Sequence, residues 1–126
     1  MRIATVAYLV RDYDEAIAWF TEKLGFVLIE DAKIAETKRW VVVAPNGGGA
    51  ALLLARAADA AQQAAIGEQS GGRVFLFIET DDFDRDYATM TRKGVTFLES
   101  PRLESYGKVA VFEDLNGMKW DLIERP

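Results

Sequence analysis

Whatever chemistry this chain performs falls to carboxylates, lysine, arginine, tyrosine, serine and threonine, because its 126 residues include no cysteine and no histidine. The first absence excludes disulfides, thiolate nucleophiles and cysteine-held metals. The second removes the commonest metal ligand and the commonest general base near neutral pH. The densest group of potential ligands, Asp81-Asp82-Phe83-Asp84, has the look of a calcium loop. Helix capping explains it better, since an Asp before a helix accepts backbone N–H groups that the first turn leaves free. Trp40 opens a predicted strand, where it either stacks on a planar ligand or packs half-buried. Trp19 sits beside Phe20 on a predicted helix and reads as a core or interface residue.

The balance of charge excludes further classes. Fifteen basic residues against 20 acidic ones leave a net charge of −5. An acidic chain with no basic run is a poor partner for nucleic acid. No apolar stretch approaches the ~20 residues of a membrane span, and Met1-Arg2-Ile3-Ala4-Thr5 lacks the apolar core of a signal peptide. The expectation is a cytoplasmic protein. Half the residues are apolar, enough for one domain with a core that needs no covalent staples.

The elements that must position any site follow from periodicity and punctuation. Ile3 to Val10 predicts a strand. Asp12 and Asp14 are N-cap types, and Glu15 completes a capping box with Asp12. A helix is predicted from Asp14 to Leu24, with Ile17, Phe20 and Leu24 on one face and Gly25 as a left-handed stop. Strands follow at Phe26–Glu30, Arg39–Ala44 and Ala51–Ala55, the second closed by the turn Pro45-Asn46-Gly47. Residues 57–72 are alanine- and glycine-rich and predict a connector with a short, loosely packed helix. The pattern then restarts: a strand at Val74–Thr80, an acidic cap, a helix with Phe83, Tyr87 and Met90 on one face, and Gly94. Strands at Val95–Glu99, Val109–Glu113 and Lys119–Glu124 complete it, the last two joined by the hairpin turn Asp114-Leu115-Asn116-Gly117.

The two halves superimpose. Asp12-Tyr13-Asp14 matches Asp82-Phe83-Asp84 at an offset of 70 (82 − 12), and Asn46-Gly47 matches Asn116-Gly117 at the same offset. Each half reads β-α-β-β-β, with one helix to cover one face of a small sheet, so the other face is bare. Two such bare faces turned toward each other would enclose a space, filled either by side chains or by a ligand.

This repeat, with the segments Val10-Arg11-Asp12, Ala18-Trp19-Phe20-Thr21-Glu22-Lys23-Leu24-Gly25-Phe26, Thr80-Asp81-Asp82-Phe83-Asp84, Lys93-Gly94-Val95, Tyr106-Gly107 and Asp114 to Leu122, resembles the vicinal oxygen chelate superfamily. That group includes glyoxalase I, extradiol dioxygenases and bleomycin-resistance proteins. The resemblance spans nearly the whole chain and is specific for fold, while many chemistries share the scaffold. It implies an α+β fold of two tandem βαβββ modules forming a cupped mixed sheet with helices on the outer face. The domain is then 1–126, with modules at 1–56 and 73–126 and the connector at 57–72. It also implies a homodimer.

Enzymes of the family place metal ligands at positions that correspond here to Thr5, Phe75, Leu52 or Leu53, and Asp121. Divalent transition metals need three or four converging N or O donors. One carboxylate and one hydroxyl among hydrocarbon side chains do not supply them. The expectation is therefore the scaffold with no metal and no cofactor.

If Thr5 faces the cavity, strand alternation turns Ile3, Ala7 and Leu9 the same way. Phe75 likewise brings Arg73, Phe77 and Glu79, and Asp121 brings Lys119 and Ile123, with Trp120 turned toward the helices. Thr5, Ala7, Trp40 and Leu53 are then candidate ligand contacts from the first module, and Arg73, Phe75, Phe77 and Asp121 from the second. Arg73 is expected to pair with Asp121, either to grip a polar ligand or as a structural ion pair; a solvated Asp121 at the rim is the third option. The loop before Val109 rims the cavity in this fold, which makes Arg102 and Tyr106 candidate anchors, with Glu104 beside them. No catalytic residue is assigned. The expected function is metal-free binding of a small organic molecule, for sequestration or sensing, in the space between the modules. One alternative is an enzyme of the same superfamily, a lyase or dioxygenase that is metal-assisted or uses Asp/Arg acid–base chemistry. The other is a structural dimer with a filled cavity.

Overall fold

The computed structural model describes all residues 1–126. The chain divides into two compact units, Met1–Ile66 and Gly67–Pro126, and the boundary falls within residues 57–72, where a short helix with no buried residue forms. Unit one runs β1 (Thr5–Val10), α1 (Tyr13–Leu24), β2 (Val27–Lys33), β3 (Arg39–Ala44), β4 (Ala51–Arg56) and the short α2 (Ala60–Ala65). Unit two runs β5 (Leu76–Glu79), α3 (Phe83–Arg92), β6 (Thr96–Phe97), β7 (Arg102–Glu104), β8 (Gly107–Glu113) and β9 (Lys119–Glu124). Each is a βαβββ-like module with a mixed sheet, β7 being an additional short strand in unit two. The strand orders are β1-β4-β3-β2 and β5-β9-β8-β6, with β7 also on β8. In both, the first strand lies parallel to the last, and the other pairs are antiparallel. No helix is long and apolar enough to cross a membrane.

In unit one the start and stop signals of α1 act as caps. The Asp12 carboxylate accepts the Glu15 N–H at 2.8 Å. Gly25 takes φ 69°, which a side chain would resist, and donates its N–H to the Phe20 carbonyl. Alternation then sorts the strands. Tyr8, Val10, Val41, Val43, Leu52 and Leu54 are buried and meet the buried Tyr13, Ala16 and Phe20 of α1. Phe20 lies at the centre, edge-on to Tyr8 at 5.7 Å and stacked on Phe26 at 5.4 Å. Burying such a ring is worth about 1.5–3 kcal/mol.

Unit two repeats this logic. Asp82 caps α3 by accepting the Arg85 N–H at 3.0 Å, and Glu124 accepts the Phe83 N–H at 2.7 Å. A row of rings crosses the helix side, with centroid spacings of 5.6 Å for Phe83–Tyr87, 4.4 Å for Tyr87–Phe97, 5.6 Å for Phe97–Phe112 and 5.8 Å for Phe112–Trp120. The row ends on Asp114, a buried carboxylate. Asp114 accepts the Asn116 N–H at 2.9 Å, the Met118 N–H at 3.1 Å and the Trp120 indole N–H at 2.9 Å. It thereby closes the β8–β9 turn and satisfies the indole in the core.

Two elements differ from the sequence-based expectation. The predicted strand Val95–Glu99 shortens to Thr96–Phe97, because the Glu99 side chain takes the Val111 N–H that a longer strand would have bonded. The predicted loop before β8 contains β7, paired antiparallel with β8. Three residues are too few for a period to register. Its return to β8 requires Gly107, at φ 144°, where a Cβ would lie 2.4 Å from the Glu124 carbonyl oxygen.

Replacing Asp114 by Ala leaves three buried or half-buried N–H groups without their acceptor. The expected loss is about 3 kcal/mol, read as a lower denaturation midpoint, with the Trp120 near-ultraviolet signal reporting the loosened ring.

Candidate functional site

The β pairings assign every strand side chain to the helix side or to the opposite, helix-free face. In unit one the helix-free face carries Thr5, Ala7 and Leu9 from β1, with Ala51, Leu53 and Ala55 beside them in register on β4. Val42 pairs with Leu53, and Trp40 lies two residues before it on β3. Among these, the Thr5 hydroxyl and the indole N–H of Trp40, 41% exposed, are the only polar groups, and Glu30 of β2 lies beside Val42 at the margin. The face is an apolar shelf, low over its alanines and raised at Trp40.

In unit two the helix-free face is polar where it matters. Asp121 on β9 lies between Phe77 of β5 and Val111 of β8 in register. It is only 7% exposed, while Phe77 beside it is 64% exposed. Its Oδ1 is buried with no hydrogen-bond partner in the protein. Arg102 and Glu104 share this face, because Arg102 pairs with Val109 and Glu104 with Gly107. The Arg102 guanidinium donates to Glu99 Oε1 at 2.9 Å and to Glu104 Oε1 at 2.7 Å. Glu99 in turn accepts the Val111 N–H at 2.9 Å. The Arg102 hydrogen bond, helped by that amide, holds the Glu99 carboxyl below its usual range, and the same contacts raise the guanidinium above its own.

Asp121 is displaced the other way. Burial pushes its carboxyl up, Glu99 adds to the effect, and Arg102 partly opposes it. The cation coupled to Asp121 is thus Arg102, and the expected pairing with Arg73 does not form. Arg73 is exposed, stands ahead of β5 and makes none of the ion pairs of unit two. Its carbonyl accepts the Ser70 hydroxyl, which turns the chain before the strand begins. Phe75 also precedes β5, half-buried, with its N–H on the Lys119 carbonyl. Unit two therefore brings Phe77, Arg102 and Asp121 to one face, with Tyr106 in the β7–β8 turn, and leaves Arg73 outside it.

Glu99 was not among the sequence-derived candidates. The available signal was the spacing Glu99-x-x-Arg102-x-Glu104 around Pro101, which suits a local ion-pair triad. A second cluster was also unforeseen. On the helix side of unit one, Arg39 donates to Asp31 at 3.0 and 2.7 Å and to Asp14 at 3.0 Å, and lies 5.1 Å over the Tyr13 ring. An open depression of about 510 Å³ adjoins it, lined among others by Lys33 and Arg56. Arg39 is fully engaged in tying the β2–β3 hairpin to the start of α1, so the cluster reads as a surface staple.

No three His, Cys, Asp or Glu side chains converge where a metal ion could be held. The nearest carboxylate coupled to Asp121, Glu99, is already tied to a guanidinium and an amide. The donors do not fit a divalent cation, and no step through a metal follows.

The profile of the Glyoxalase/Bleomycin resistance protein/Dioxygenase superfamily matches residues 2–122, and the chain belongs to that superfamily. An uncharacterized protein of Shewanella frigidimarina is 55% identical over 124 residues, covering 97% of this chain and 92% of the relative. The crystal structure of UcmS2 superimposes with a TM-score of 0.84 at 28% identity, covering 98% of this chain and 97% of the other. TnmS3, described as an antibiotic binding protein from a Streptomyces species, superimposes with a TM-score of 0.82 at 26% identity, covering 100% of this chain and 97% of the other.

Two measurements test this description. A carboxyl raised by folding binds its proton more tightly folded than unfolded, so its ionisation opposes folding. The Asp121 penalty is absent below the unfolded pKa of about 3.9 and grows as pH rises through the folded value. Asp121→Asn is therefore expected to raise Tm at neutral pH, with the difference from the native chain vanishing below about pH 4. Separately, dialysis against a chelator should leave Tm unchanged, and titration with Zn²⁺, Ni²⁺ or Mn²⁺ should give no stoichiometric saturable binding by calorimetry.

Proposed function

We propose that this protein binds a small organic molecule, in part aromatic or apolar, on the helix-free faces of its sheets, and that it sequesters or senses that molecule without a metal. The observation that carries the reading is the exposure of Trp40 and Phe77, 41% and 64%, on sheet faces that no helix covers. A large exposed ring, set on an apolar shelf at Trp40 and beside charged groups at Phe77, is a stacking surface for a planar ligand. The description of TnmS3 as an antibiotic binding protein supports the same class of ligand. Thr5, Ala7 and Leu53 supply the flat apolar ground beside Trp40. On the second sheet, Arg102, Tyr106 and Asp121 supply the few polar groups near Phe77 that orient a ligand. A homodimer belongs to this reading, supported by the exposed Val27, Leu28 and Ile29 on the edge strand β2.

A thermal-shift screen of aromatic compounds is expected to give hits that raise Tm and change tryptophan fluorescence. Trp40→Ala and Phe77→Ala should each weaken binding of a hit by about 1 kcal/mol, roughly fivefold. A broad aromatic panel that leaves Tm unmoved would overturn the proposal.

A further inference from the structure

We propose that the helix-free face of the second sheet recognises the protonated amine of its ligand, with Asp121 as the receiving carboxylate and Phe77 as the ring beside it. This deepens the binding function proposed above and rests on it.

Asp121 is 7% exposed, and its buried Oδ1 has no donor from the protein. Such an oxygen costs stability, and because Oδ1 is closed to solvent, a ligand meets this under-satisfied carboxylate through the part of it that stays exposed. The polar groups around it are already engaged. Arg102 is divided between Glu99 and Glu104. Lys119, on the same face, donates its Nζ to the Gly72 carbonyl at 3.1 Å. Arg125 is 3.8 Å from Glu79. Three carboxylates, Glu99, Glu104 and Asp121, thus share one guanidinium, and the charge left uncompensated falls on Asp121.

The missing partner must donate a hydrogen bond and should carry positive charge. A neutral hydroxyl meets the first need only, and an anion meets neither. A protonated amine meets both, and the local desolvation that raises the Asp121 carboxyl strengthens the pair it forms. Phe77, directly opposite Asp121 on β5 and 64% exposed, offers its face to the cation or to the hydrocarbon next to it. A small cation such as a metal ion would need further oxygen donors, which are absent here. An ammonium needs few, because it carries its own hydrogen-bond donors on an apolar stem.

The test uses three probes of one shape and different charge: naphthylmethylamine, naphthylmethanol and naphthoate, titrated calorimetrically into the full chain at neutral pH. The amine is expected to bind about tenfold more tightly than the alcohol, and naphthoate most weakly. In Asp121→Asn and Asp121→Ser the amine should fall to the affinity of the alcohol measured on the same variant, so that the roughly tenfold preference collapses to about one. On the native chain, added salt should weaken the amine and spare the alcohol, a readout that needs no folded variant. Equal binding of amine and alcohol, salt-insensitive amine binding, or an amine preference that survives both substitutions would overturn the inference while leaving aromatic binding standing. Absence of binding by all three probes would overturn both.

Discussion

Everything else in each module depends on one pairing: the first strand lies parallel to the last. Parallel neighbours cannot be joined by a tight turn, so a crossover must intervene, and here it consists of one helix and two strands in unit one and one helix and three strands in unit two. The helix covers one side of the sheet. No second long helix in either module covers the other. The apolar shelf of unit one and the Asp121 face of unit two are both consequences of that arithmetic. The strand residues that face away from the helix are of one parity, Thr5, Ala7 and Leu53 in one unit and Phe77, Asp121 and Val111 in the other, while Tyr8, Val41 and Leu54, and Phe112, Trp120 and Leu122, of the opposite parity, pack beneath it.

The second module contains two buried carboxylates on opposite sides of the sheet, and they behave oppositely. Asp114 receives two backbone amides and the Trp120 indole, so its charge is satisfied where it sits. Asp121 receives nothing on Oδ1 and its carboxyl is driven up by burial. The first is a structural device whose removal loosens a turn and a ring. The second destabilises the free protein, which is the usual signature of a group placed for something other than stability.

Much of this architecture was legible because its signals are local. Asp12, Asp82, Gly25 and the Asp114–Gly117 turn each act through neighbours within a few residues, so caps, stops and hairpin could be read in one dimension. The parity of Asp121 was legible too, since alternation carries a face along a strand. Its partner was not. Arg73 and Arg102 are equally plausible on charge alone, and the choice is made by β7, a three-residue strand whose pairing with β8 swings Arg102 onto the sheet. Glu99 escaped for the same reason: its role lies in a backbone amide twelve residues away.

The Glu99 contact also shapes the rim of the second sheet. Between Thr96–Phe97 and Arg102–Glu104 the main chain leaves β8, and a carboxylate fills the gap by holding the Val111 amide. Along that border β8 therefore meets two short strands spliced by an acidic side chain and followed by Pro101. Neither β6 nor β7 is long enough to offer a continuous ladder of free amides and carbonyls to another polypeptide. The same residue that balances Arg102 thus insulates this margin of the molecule against strand-to-strand aggregation.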